Sequence, residues 1–89
     1  MELNSLVEVR WLDIRHESED CIRTEAINFN PVEFSSYGVL LCDNETKVSV
    51  AGTSFLEDEG EHKGEIGYRD VVTIPRGCVV RIIKLEEVS

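Results

Sequence analysis

Two β-branched runs near the end of the chain, residues 71–74 and 79–83, are separated only by Pro75, Arg76, Gly77 and Cys78. Proline holds φ near about −65° and has no N–H to give a sheet ladder, so it cannot lie mid-strand. Gly77 accepts whatever backbone angle a corner needs. The pattern predicts strand, one tight turn, strand: a last strand pair that closes a small all-β structure.

At 89 residues, the chain has room for a single domain spanning 1–89, near the lower end of what folds on its own core. Its 42% apolar content is ordinary for a globular protein. So small a domain has little spare stability, and a homo-oligomer is expected. Eighteen acidic against nine basic residues give a net charge of −9. Such a surface repels phosphate backbones and anionic lipid, which disfavours general nucleic-acid or membrane binding and suits a basic protein partner. The three cysteines Cys21, Cys42 and Cys78 are widely spaced and odd in number, unlike a secreted disulfide framework. Together with the absence of a signal-peptide pattern and of an apolar run near about 18 residues, they point to the cytoplasm.

Residues 6–14 alternate, placing Val7, Val9 and Trp11 on one face and Glu8 and Arg10 on the other, as in a half-buried strand. Residues 15–20 are polar and read as a loop. Residues 21–32 read as an irregular, partly packed loop with Ile22, Ile27 and Phe29 turned inward; a helical turn beginning near Thr24 would end before Pro31. Residues 34–42 form a strand in which Gly38 marks a bulge or bend. Asp43, Asn44 and Glu45 make a turn, and residues 46–54 return as the hairpin partner. Residues 57–65 are a charged loop, and Tyr68 opens the last pair.

Few residues carry a chemical signal. Asp13, His16 and Cys21 would supply an orienter, base and nucleophile, but no oxyanion hole or rigid scaffold accompanies them; a solvated loop with a half-buried thiol is the plainer reading, and no enzyme is expected. His62 among Glu57, Asp58, Glu59, Glu61 and Glu65 matches neither a calcium-loop nor a zinc spacing, so no metal or other cofactor is expected. Those five carboxylates can instead engage a basic partner, or serve solubility alone. Arg76 and Gly77 in the corner, with Tyr68, Arg69 and Arg81 on the flanking strands, form a candidate anion site, since guanidinium and free backbone N–H groups suit phosphate. In an assembly, that corner with an aromatic such as Tyr68 or Trp11 would make a nucleotide pocket at each junction. The bland alternative pairs Arg76 with a carboxylate and leaves Trp11 and Tyr68 in the core.

Residues 71–82 resemble the closing segment of Sm-like and SH3-like barrels, in which a short 3₁₀ turn joins the fourth and fifth strands. Residues 38–43 with 48–50 are similar to the second and third Sm strands. The resemblance implies a five-stranded SH3-like or Sm-like barrel, a strongly bent antiparallel sheet. Residues 9–13, 36–41 and 73–78 together resemble a loose group of short proteins encoded by phages and prophages, and the patches cover about half of the chain. That likeness implies a non-enzymatic protein acting in the host cytoplasm against a host defence. One form sequesters a nucleotide-type immune signal between subunits. Another is an acidic inhibitor that masks the basic face of a host defence protein, as anti-CRISPR proteins do. A structural virion component is the third. The turn at residues 43–45 and the acidic charge depart from RNA-binding Sm proteins.

Overall fold

The computed structural model describes residues 2–14 and 19–86. Five strands, β1 (Leu6–Asp13), β2 (Val32–Asp43), β3 (Lys47–Leu56), β4 (Ile66–Pro75) and β5 (Val79–Lys84), form one antiparallel sheet in the order β4-β3-β2-β1-β5. A single helical turn, α1 (Arg23–Ala26), lies between β1 and β2. A 3₁₀ turn over Arg76–Cys78 joins β4 to β5.

The expected last strand pair is corrected by this order. β4 and β5 are joined through the predicted tight corner, yet β4 pairs with β3 and β5 crosses to pair with β1. The corner therefore carries the chain from one edge of the sheet to the other. Its position is fixed by backbone and side chain together: the Arg76 N–H donates to the Thr46 carbonyl at 2.9 Å, and the Arg76 guanidinium donates to Asp43.

Alternation decides which side chains meet. Val7 and Val9 of β1, Leu40 of β2, Val48 and Val50 of β3 and Ile74 of β4 form the buried cluster, with Trp11, Cys78, Val79 and Ile82 packed against it. Leu40 faces Val50, and Val48 faces Ile74, as directly opposed cross-strand pairs. Ser49 and Thr73, on the other face, share a hydroxyl hydrogen bond of 3.0 Å. Trp11 borders the core, stacked on Phe34 with ring centroids 5.1 Å apart and donating its indole N–H to Ser36 Oγ.

Gly38 is where backbones approach most closely. It lies opposite Val7, and a Cβ placed on it would overlap the Ala51 carbonyl of β3. The expected irregularity of β2 itself falls three residues later, where the register shifts between Leu40 and Cys42. The next turn is an Asx turn: Asn44 Oδ1 accepts from the N–H groups of Thr46 and Lys47 at 2.9 Å each, as Asn side chains do in tight connections.

Ile22 and Ile27 are 65% and 70% exposed, and Phe29 is also exposed, so the inward packing expected of residues 21–32 does not occur. α1 sits at the far end of the β1–β2 ribbon, beyond the reach of the core. The chain is correspondingly long, 57 × 33 × 27 Å with a radius of gyration of 17.4 Å, where a compact chain of this length has about 12 Å.

Two substitutions test this account. Leu40→Ala should lower the free energy of unfolding by about 2–5 kcal/mol, since a fully buried side chain is replaced by a cavity. Gly38→Ala, which adds one methyl group, should destabilise at least as much because backbone must move. Urea unfolding followed by Trp11 fluorescence reads both.

Candidate functional site

The residues that the sequence groups into an anion site are dispersed within one chain. Tyr68 and Arg69 lie on edge strand β4, opposite Ser54 and Thr53. Arg76 and Gly77 lie in the 3₁₀ turn, seven residues further along, or about 23 Å at strand rise. Arg81 is on β5, at the opposite edge of the sheet. Each arginine also has its own surroundings. Arg76 is tied to Asp43, and its N–H is used by Thr46, so the free donor expected at that position is engaged. The Arg69 guanidinium sits over the Phe55 ring, 4.8 Å from its centroid, a cation–π contact. Phe55 in turn covers Gly67, where a Cβ would strike the ring.

Arg81 has different neighbours. On the face of the sheet opposite the core, β1 presents Glu8, Arg10 and Leu12, β2 presents Tyr37, Ser35 and Glu33, and β5 presents Ile83 and Arg81. Arg10 and Arg81 are directly opposed. Glu8 Oε2 is the hub of this face. It accepts from Arg10 Nε at 3.1 Å, Ser35 Oγ at 2.9 Å and Tyr37 OH at 3.2 Å. The hydrogen bond from Arg10, then that from Ser35, holds the Glu8 carboxyl below its ordinary value, against the smaller opposing effect of burial. The same bond to Glu8 raises Arg10. Glu8, Arg10, Ser35 and Tyr37 were legible as strand residues. Their meeting with Arg81 was not, because nothing in a local pattern says that β5 lies beside β1.

The acidic residues 57–65 form the tip of the β3–β4 hairpin. Glu57 N–H donates to the Glu65 carbonyl at 2.8 Å, Gly64 N–H to the Glu57 carbonyl at 2.9 Å and Glu65 N–H to the His62 carbonyl at 2.9 Å. Asp58, Glu59, Glu61 and Glu65 are exposed on it, with Glu57 half-buried. The His62 ring lies 3.0 Å from Glu65 and 3.5 Å from Glu61. No group of three or more metal-ligating side chains comes together among the described residues. Of the Asp13, His16 and Cys21 set, His16 lies outside the described residues, and Cys21 is exposed.

No cavity indents the surface of the described residues, and no helix among them is long and apolar enough to cross a membrane. No family model matches this chain, and no curated protein or solved structure matches it.

The Glu8 hub has a pH signature. A carboxyl depressed in the folded state stabilises fully above its ordinary value of 4.5 and loses that contribution as pH falls through the folded value. Wild type should therefore exceed Glu8→Gln in stability at pH 7, and the difference should shrink steadily below about pH 4.5. Urea midpoints across a pH series measure it.

Proposed function

We propose that the chain is a non-enzymatic, phage-type binding protein that acts as a homo-oligomer in the host cytoplasm. It counters a host defence by sequestering a nucleotide-type immune signal at sites between subunits. The observation that supports the oligomer in this reading is surface. The chain exposes 7085 Å², against about 5,300 Å² for a compact monomer of 10.1 kDa. The excess of about 1,800 Å² per chain exceeds the roughly 800 Å² that each partner buries in a standard interface. Much of it is apolar: Ile14 is 84% exposed, and Leu56 and Ile66, opposed at the end of the β3–β4 hairpin, are 66% and 62% exposed. A chain with this much uncovered aliphatic surface fits copies of itself that cover it.

Strand order supports a barrel of the SH3-like or Sm-like kind, with β4 and β5 as edges and a 3₁₀ turn between them. Both edges offer unpaired backbone groups. Pairing β5 of one copy with β4 of the next would put Arg81 on the strand adjoining the one that carries the neighbour's Tyr68 and Arg69. It thus unites candidate residues that a single chain keeps apart, and it supplies the walls that a surface without a cavity lacks.

The expected mass by light scattering is a multiple of 10.1 kDa. The double substitution Leu56→Lys, Ile66→Lys should shift it towards monomer and remove any ligand of a few hundred daltons retained in native mass spectrometry. A monomeric wild type would sink the reading.

The acidic tip supports a second reading, an inhibitor that masks the basic face of a host defence protein. Four exposed carboxylates on a hydrogen-bonded hairpin end are well placed to meet a basic surface. Charge reversal of Asp58, Glu59 and Glu61 should abolish inhibition in that case, and leave ligand retention intact in the first. A defence assay in cells separates them.

A further inference from the structure

The opposition of Arg10 and Arg81 is costly by itself. Directly opposed residues on antiparallel strands hold their Cβ atoms about 5 Å apart, and like charges at that spacing destabilise the pair. The chain has twice as many acidic as basic residues, yet no described carboxylate forms an ion pair with Arg81. Glu8 is bonded to Arg10 and not to Arg81: its Oε2 takes Arg10, Ser35 and Tyr37. Glu33, opposite Leu12 on the same face, acts on Arg10 only at a distance.

Arg10 is held in a defined way. Its Nε is bound to Glu8, and its terminal nitrogens make no hydrogen bond to a described residue, on a side chain 43% exposed. Ser35 and Tyr37 fix Glu8 from β2, so a positioned guanidinium stands on the strand position directly opposed to Arg81, which has no ion pair with a described carboxylate.

We propose that Arg10 and Arg81 form a binding site for a phosphoryl group, with Glu8, Ser35 and Tyr37 as positioning residues. The inference rests on the reading of the chain as a binder of a phosphate-bearing ligand and names the part of the surface that takes the phosphate. Arginines on directly opposed strand positions can present two forks to one ligand. A tetrahedral phosphoryl group, with three free oxygens and up to two negative charges, satisfies both, whereas a carboxylate matches one. Because Arg81 is on edge strand β5, the site lies where a neighbouring copy can cover the rest of the ligand. Arg76, neutralised by Asp43, is outside it.

The probe is inorganic pyrophosphate, titrated at constant ionic strength and followed by calorimetry and thermal unfolding. Wild type should bind it saturably, with a rise in Tm. Arg81→Gln and Arg10→Gln should each weaken binding at least tenfold, and Arg76→Gln should change it less than twofold. Without pyrophosphate and at low salt, Arg81→Gln should unfold at or above the wild-type Tm, because a repulsion has been removed. A fall in that Tm would make Arg81 a structural residue and overturn the proposal. So would the absence of saturable binding by wild type, acetate competing as well as phosphate, or loss of binding in Arg76→Gln alone. Native mass spectrometry of the same samples separates the two readings. An assembly that keeps a phosphate-bearing ligand in Arg81→Gln leaves the proposed function standing and removes this site; a monomeric wild type that still binds pyrophosphate through Arg81 does the reverse.

Discussion

Everything in this fold hangs on the burial of Val7 and Val9 against Leu40, Val48, Val50 and Ile74. β1 lies between β2 and β5, and its inward valines pack with residues of β2, β3 and β4. The backbones of β2 and β3 approach closely at Gly38 and Ala51, where no side chain on residue 38 would fit. Few residues are buried, however, and the strands run on well past them. Beyond the core the sheet continues as two-stranded ribbons, which are marginal in water without further support. Local devices stiffen them: Trp11 stacked on Phe34 in one ribbon, Phe55 covering Gly67 and carrying Arg69 in the other. These contacts shape the ribbons without covering their aliphatic residues.

The two faces of β1 carry opposite chemistry on adjacent residues. Valines at 7 and 9 go to the core, while Glu8 and Arg10 build a charged network on the other side. A one-residue slip of β1 would exchange them, burying a carboxylate and a guanidinium. The polar face therefore contributes to specifying register.

Short-range signals were readable from the chain. Alternation over 6–14 marked β1 and its buried face, the Asn44 turn followed from an Asx side chain, and Pro75 with Gly77 marked the corner. Signals that depend on distant partners were not. The run 79–83 looks the same whether it pairs with β4 or with β1, and its true neighbour is more than sixty residues away. Arg76 and Asp43 are 33 positions apart, so the neutralisation of that arginine left no local trace. Ile22 and Ile27 are apolar, and apolarity alone does not say whether a residue is buried. Arg69, Arg76 and Arg81 are near one another in sequence, yet the sheet places Arg81 opposite Arg10 and leaves Arg69 on β4 and Arg76 in the 3₁₀ turn.

The three-residue turn at Arg76–Cys78 carries the chain between the sheet's two outer strands, and those strands are unlike. Contacts made by joining unlike edges are directional, each copy offering a head to its neighbour's tail, so a pair of molecules always leaves one of each unsatisfied. Growth ends only when the rotation between successive copies returns the last edge to the first; otherwise it continues as a helical filament. In an assembly joined through these edges, the twist of this one small sheet would set the geometry on which the choice between a closed ring and an open fibre turns.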